Sequence, residues 1–432
     1  MKKDIFRLKV LFLLLTIIPA VSAAQTFYRT GSQEAVETDH LPGLVLAGGA
    51  TDNDDAMRWM LERADGGDVV VLRAGGSDGY NNYFYQGLGI EVNSVTSIVI
   101  RSAEEADDQE VLQTLENAEV VFIAGGNQWN YVNYWSGTEM LSTLNRLISD
   151  KKITVGGTSA GMAVLGEVVF SAENNTVWSS EAINDPYHWR VKLEKDFISA
   201  PFMENTVTDS HYNRIQDDNR DRHGRHVAFM ARMSADWGMP ARGIAANEYT
   251  AIAVDQNGRA MVFGNPSYPD YAYFLQEDAG PPEVCKEGKP LTWNRDQRAI
   301  RVYEIKGDSQ GSNWFDVDTW EKGEGGRWEH WFVIAGSLMK TELDVTSSGD
   351  IINGHTLVYP NPATDRLFIN YRNDTEVLTL RILTGSGTIL KTRTVNAGSG
   401  FSLDVSGLPP GFYFLELIPE GQPPETIPWM KL

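Results

Sequence analysis

The sequence predicts an α/β protein built on a mostly parallel sheet with helices on both faces, followed by a small C-terminal antiparallel β-sandwich. Three observations carry this expectation. Apolar β-branched runs that end at once in glycine turns recur along the first part of the chain. Stretches of helical period lie between them, which is the alternation that folds as a helix-covered parallel sheet. From about residue 353 onward only short alternating strands and Gly/Pro turns remain, the pattern of a small sandwich.

The elements follow in order. "GLVLAGGA" (43–50), "VVVLRAGG" (69–76), "VVFIAGGN" (120–127) and "ITVGGTSAG" (153–161) each read as a strand closing in a glycine turn, and "SIVI" (97–100) as a further short buried strand. "DNDDAMRWMLERA" (52–64), with an aspartate-rich N-cap region, and "EEADDQEVLQTLENA" (104–118) read as helices. Sites in such sheets sit at the carboxyl ends of the strands, where all of these glycine turns lie. "AIRVYEI", "WFDVDTW" and "WEHWFVIAGSL" read as strands that finish the first domain, and a Ser/Gly/Asp-rich linker follows. The expected division is a leader over 1–24, a catalytic domain over 25–340, a linker over 341–354 and the terminal domain over 355–432.

Composition narrows the function. A chain of 432 residues can hold more than one core, and its net charge of −21 argues against nucleic acid or an anionic membrane as partner, since both require a basic surface. "MKKDIFRLK", then "VLFLLLTIIPAV", then "SAAQ" has the basic, apolar and small-residue order of a signal peptide cleaved near Ala23 or Ala24; the apolar run is short for a membrane anchor. Cys285 is the only cysteine, so no internal disulfide and no CxxC site can form. No phosphate-loop or dinucleotide fingerprint accompanies the glycine turns, and neither a metal nor another cofactor is expected.

In "GGTSAGMAVLGE" (156–167) Ser159 stands between glycines after a strand and before a helical stretch, as a nucleophile does on a sharp strand-to-helix turn. A tight βα turn is the plain alternative. A serine hydroxyl needs a base, and the base an orienting carboxylate. His211 in "DSHY" is the candidate base, with His188, His223 and His226 as rivals, the last two in "RDRHGRH", read as the solvated start of a helix.

The blocks "FIAGGNQ" (122–128), "GGTSAGMAVL" (156–165), "TDSHYN…RDRHGRHVAFMARM" (208–233) and "GIAANEYTAIAV" (243–254) resemble those of the cyanophycinases, serine peptidases that share the class I glutamine amidotransferase-like sheet and are related to peptidase E. The resemblance implies a Ser159–His211–Glu181 triad, with Glu248, at the place where the peptidase E branch carries its acid, as the alternative. It implies an oxyanion hole from the Ala160 N–H and Gly126, and substrate contacts from Gln128, Asp209, Arg220, Arg222 and Arg225. The implied substrate is cyanophycin or a related Asp/Arg-containing peptide with β-aspartyl linkages, and a homodimer is compatible with it. The chain departs from the family at Ser210, Tyr212 and Asn127, and "NRIQDD" lengthens the gap before Arg220. Hydrolysis is therefore a firmer expectation than cyanophycin as substrate. The end of the chain, "YPNPATDRLFIN…GSGTIL…LPPGFYFLEL", resembles the C-terminal sorting domain of type IX secretion substrates. It implies the secretion machinery as partner and a secreted or surface-attached protein. A non-catalytic binding protein on the same fold, or a surface adhesin, is the competing reading.

Overall fold

The computed structural model describes residues 26–213, 221–343, 357–359, 363–370, 377–384, 387–396, 401–419 and 424–431. The chain divides into two compact units, one up to Leu343 and one from Asp344. The expected leader lies outside the described residues, as does most of the expected linker. The strand Ser337–Leu343, paired with Gly326–Ile334, runs into the first residues of that linker stretch. Among the described residues no helix is long and apolar enough to cross a membrane.

At the centre of the first unit five parallel strands lie side by side in the order Val92–Val99, Gly66–Arg73, Ala118–Ile123, Thr154–Thr158, Gly43–Ala47. Gly43–Ala47, Ala118–Ile123 and the Val69–Leu72 part of Gly66–Arg73 are nearly continuous apolar runs because both faces are covered. Thr26–Gly31 adds antiparallel at one edge, and Ala251–Val254, Arg259–Phe263, Trp314–Asp316 and Gly323–Glu324 extend the other. One face is closed by the helix Asp54–Glu62, whose Met57, Met60 and Leu61 pack with Val45, Val71 and Phe122. Asn53 caps this helix by accepting from the Asp55 and Ala56 N–H groups, and Asp54 and Asp55 occupy its first turn, where negative charge suits the helix dipole. The other face buries Val111 and Leu115 of Gln109–Glu116, Tyr131 and Trp135 of Gln128–Trp135, and Met140 and Leu144 of Glu139–Arg146.

A second sheet was not legible in the strand pattern. Its order is Ser337–Leu343, Gly326–Ile334, Ile300–Lys306, Tyr271–Glu277, Arg242–Ala246, Thr206–Asp209, Val168–Phe170, Leu193–Lys195. It is mainly antiparallel, but Arg242–Ala246 and Thr206–Asp209 run parallel, as do Thr206–Asp209 and Val168–Phe170. Its Ile244, Ala246, Phe274 and Ile305 share one core with the helix-covered face of the first sheet. Of the three strands expected to finish this unit, Trp314–Asp316 therefore joins the first sheet and the other two the second.

The second unit pairs Leu357–Tyr359, Arg366–Asn370 and Phe401–Asp404 in one antiparallel sheet. Ile389–Asn396, Val377–Thr384, Gly411–Pro419 and Glu425–Lys431 form another. Leu367, Leu403, Leu380, Leu415 and Trp429 from both sheets make its core, so the unit is a small sandwich.

Phe122, next to last in the strand Ala118–Ile123, is fully buried and packs on Tyr80 and Phe84 with ring centroids 5.1 and 5.3 Å away. Phe122→Ala is expected to cost about 3–5 kcal/mol in thermal or denaturant unfolding of the first unit. Substitution of the exposed Leu41 is expected to change it by no more than about 0.5 kcal/mol.

Candidate active site

Three chain segments meet at the carboxyl end of Gly43–Ala47. The carbonyl of Ala47 accepts the Ser159 N–H at 3.0 Å, that of Gly48 the His211 N–H at 2.7 Å, and that of Gly49 the Tyr249 N–H at 3.0 Å. Successive peptide groups of one turn thus hold the serine, the histidine and the residue after Glu248. Both glycines are required. A Cβ on Gly48 would stand 2.0 Å from the Asn247 carbonyl oxygen; one on Gly49, at φ +99°, would stand 2.5 Å from the His211 ring.

Ser159 sits on a sharp turn between Thr154–Thr158 and the short helix Ala160–Ala163, with φ 54° and ψ −111°. A non-glycine residue held in that region is strained, and such strain concentrates at functional positions. The flanking glycines permit the turn: a Cβ on Gly157 would meet the Gly161 backbone at 2.5 Å, and one on Gly161 the Ile123 carbonyl oxygen at 2.0 Å. Each glycine of G-T-S-A-G thus answers a specific backbone approach.

The side chains then form a hydrogen-bonded line. Ser159 Oγ is 2.7 Å from His211 Nε2, and His211 Nδ1 is 2.6 Å from Glu248 Oε1. Glu248 is itself placed by its N–H, which donates to Asn213 Oδ1 at 2.9 Å. Glu248, and not Glu181, is therefore the carboxylate at the histidine. Glu181 lies in the first turn of the helix Ser179–Asn184, where Oε2 accepts the Trp178 N–H at 3.0 Å and Oε1 accepts from Arg190 Nη1 at 2.7 Å. Its carboxylate serves a helix start and an ion pair.

The rival histidines are placed elsewhere. His226 is fully buried, with Nε2 3.1 Å from the Val207 carbonyl oxygen, and burial holds its pKa below the ordinary value. His223 packs among Tyr212, Tyr273 and Trp331, where burial lowers its pKa to about 3. His188 Nδ1 accepts the Arg190 N–H at 3.4 Å. The segment read as a solvated helix start is buried instead: in the helix His223–Trp237, Gly224, Arg225 and His226 all face inward.

This burial also changes the reading of the arginines. Arg225 and Asp209, each 2% exposed, form a two-pronged pair with Nε–Oδ2 at 2.8 Å and Nη2–Oδ1 at 2.5 Å, and Arg225 Nη1 donates to Thr176 Oγ1 at 2.8 Å. Burial alone would push the Asp209 carboxyl up, but the charge and hydrogen bonds of Arg225, with the charges of Arg222 and His226, together outweigh it and hold the carboxyl below its ordinary value. Neither residue is open to a substrate, because a buried guanidinium and carboxylate must satisfy each other. Arg222 Nη1 donates to the Ser210 carbonyl at 2.6 Å and lies 3.7 Å from Asp209 Oδ1, so it braces the chain just before His211. Arg220 lies outside the described residues, as do positions 214–219 of the lengthened loop.

A cavity of about 290 Å³ opens over the serine, lined by Gly49, Ala50, Arg73, Tyr80, Ala124, Gly125, Thr158, Ser159 and His211. Gly125, rather than Gly126, belongs to its wall. A Cβ on Gly125 would lie 3.5 Å from Ser159 Cβ, whereas one on Gly126 would face the Tyr131 hydroxyl. Tyr131 donates to the Ala124 carbonyl at 2.7 Å and steadies this turn. Ala160 begins the helix after the serine, so its N–H is among those a helix leaves without an intrahelical acceptor. Gln128 opens the helix after the Gly125–Gly126 turn, and its Nε2 donates to the Phe170 carbonyl at 3.0 Å. A larger cavity of about 580 Å³, lined by Pro42, Lys152, Phe202 and Met203, lies at the amino ends of the strands and holds none of these groups.

With this geometry the family comparison has a structural counterpart. Residues 55–256 match the model of peptidase family S51. The first unit carries a peptidase S51 domain. Residues 357–423 match the secretion system C-terminal sorting domain, so the chain also carries a type IX sorting tail, the mark of export to the cell surface or beyond. Cyanophycinases of Trichormus variabilis and Nostoc sp. are each 24% identical over 184 residues, 42% of this chain and 54% of theirs. One from Synechococcus elongatus is 27% identical over 238 residues, 52% of this chain and 66% of its own. The chain thus spans between about half and two thirds of the length of these relatives. A crystal structure of a peptidase from an acI-B1 Actinobacterium aligns with TM-score 0.39 and 15% identity over 62% of this chain and 95% of that one.

Sequence reasoning passed over Gly49, Arg73 and the pairing of Arg225 with Asp209. The signal for Gly49 was present, since its Gly-Gly turn repeats the pattern at 125–126. A methyl group at position 49 would displace the imidazole. Gly49→Ala is expected to lose labelling of Ser159 by a fluorophosphonate probe, read by intact-protein mass spectrometry, while circular dichroism stays that of the folded protein.

Proposed function

We propose that the first unit is a secreted serine hydrolase of the cyanophycinase type, with Ser159 as nucleophile, His211 as general base and Glu248 as the orienting carboxylate. The hydrogen-bonded line from Ser159 Oγ through His211 to Glu248 supports this reading above all else. With Nδ1–H donating to Glu248, Nε2 is left to accept the serine proton. Ser159 Oγ attacks the scissile carbonyl carbon as its proton passes to Nε2. The Ala160 and Gly125 N–H groups receive the oxyanion. Collapse breaks the C–N bond, and His211 returns the proton to the leaving amine. Water then enters, gives a proton to His211 and attacks the acyl carbon; the C–Oγ bond breaks, the acid is released and His211 returns the proton to Ser159 Oγ. Glu248 stabilises the imidazolium at both stages.

The substrate in this proposal is a β-aspartyl linkage in cyanophycin or in a related Asp/Arg-containing peptide, with Gln128, at the start of the helix after the Gly125–Gly126 turn, as an orienting group. The export route is a cleaved leader followed by type IX sorting through the terminal domain.

Ser159→Ala is expected to release no soluble fragments from insoluble cyanophycin and to leave β-aspartyl dipeptides intact. His211→Ala should be comparably inactive and the double variant no worse, since the two act as a unit. Glu248→Gln should reduce kcat by about 10⁴-fold, as when the carboxylate of a triad is neutralised. Glu181→Gln should stay within about threefold of the parent, its role being local capping. The reverse order of the two glutamate variants would contradict the assignment.

A further inference from the structure

Among the described residues Arg73 is the one arginine lining the cavity, and the serine mechanism does not use it. It is the last residue of Gly66–Arg73 and directly follows the buried apolar run Val69–Leu72. Leu72, Ile123 and Gly157 stand in one row across three adjacent strands, so Arg73 is level with Ala124 and Thr158, one residue short of the serine. Two strand spacings of about 4.8 Å put its Cα roughly 10 Å from the serine turn. That distance suits an arginine side chain on one side and a short ligand on the other.

The guanidinium is held in place before any ligand arrives. Nε donates to the Gly75 carbonyl at 2.7 Å and Nη1 to the Ser77 carbonyl. A Cβ on Gly76, at φ +81°, would fall 2.3 Å from Nη2, so the glycine turn wraps the head group closely. Both acceptors are neutral carbonyls. Among the described residues Arg73 makes no ion pair, in contrast to Arg222 and Arg225, whose charge is met by Asp209. Asp52 accepts the hydroxyl of Tyr80, a residue of the cavity lining, at 2.7 Å. An anchored, uncompensated guanidinium on the wall of a reactive cavity is suited to a planar anion.

Building on the reading of Ser159 as a hydrolytic nucleophile, we propose that Arg73 is the carboxylate anchor of the cavity. It grips a free carboxylate on the acyl side of the scissile bond, three bonds from the carbonyl under attack. In a β-aspartyl unit that group is the α-carboxylate. Charge recognition thus comes from the end of a central strand, and the arginines of the 220–225 segment are not its source.

The test compares β-aspartyl-arginine with the analogue whose aspartyl α-carboxylate is amidated, using the full secreted chain and its Arg73→Ala, Arg73→Lys and Arg220→Ala variants. Labelling of Ser159 by a fluorophosphonate is read alongside, because that reagent carries no carboxylate. The parent is expected to prefer the free carboxylate. Arg73→Ala should lower kcat/KM on it by about 10- to 150-fold, the range for a hydrogen bond to a charged group. Arg73→Lys should fall between, and turnover of the amide should change by less than about threefold because the contact is already missing. Labelling should be unchanged throughout, which would also show that the variants are folded. Failure of the parent to label would overturn the hydrolase reading itself. Normal labelling with equal turnover of the two substrates, with turnover of neither, or with the selective loss in Arg220→Ala instead of Arg73→Ala, would overturn the anchor.

Discussion

The site depends on the turn Ala47–Gly48–Gly49. Three successive carbonyls of that turn receive the N–H groups of Ser159, of His211 and of Tyr249, the residue after Glu248. The approach is possible only because positions 48 and 49 have no side chain, since a Cβ at either would overlap Asn247 or the His211 ring. A backbone hydrogen bond is directional and, in a buried setting, costly to leave unmade. Fixing one turn therefore fixes three otherwise distant segments.

The two sheets of the first unit explain why the segments must be gathered in this way. Ser159 ends a strand of the first sheet, whereas His211 follows Thr206–Asp209 of the second. Glu248 lies where the chain leaves Arg242–Ala246 of the second sheet and enters Ala251–Val254 of the first. Behind His211 the buried Arg225–Asp209 pair and the Arg222 bond to Ser210 secure the second sheet's contribution. These arginines brace the segment that carries His211. Burying the pair carries a desolvation cost, offset by charge-assisted bonds of good geometry.

Much of this was legible in the sequence because it is local. Strand runs closed by glycines, the helical stretches between them and the G-T-S-A-G elbow each follow from a few neighbouring residues. The contact of His211 with Ser159 was legible too, from the block around the histidine. The carboxylate beside it was not, because Glu181 and Glu248 both stand in plausible company and only the crossing between sheets brings Glu248 to His211. The arginines misled because an Arg-rich segment before a helix usually faces water, and inward burial becomes visible only when Asp209 is seen beneath it. The second sheet was hidden for a similar reason: its pairings join strands far apart in sequence, and short strands give little periodic signal. Arg73 left one trace, a charge at the carboxyl end of a strand directly after the apolar run Val69–Leu72, which is where sites form in such sheets.

The central claim is that His211 stands between Ser159 and Glu248, with its Nδ1 proton directed at that carboxylate. Proton NMR of the resting protein reads this directly, since an imidazole N–H held at 2.6 Å by a carboxylate resonates far downfield of the amide envelope. The account predicts one such signal, retained in Glu181→Gln and lost in Glu248→Gln and in His211→Ala. A downfield signal that survives Glu248→Gln and disappears in Glu181→Gln would contradict it.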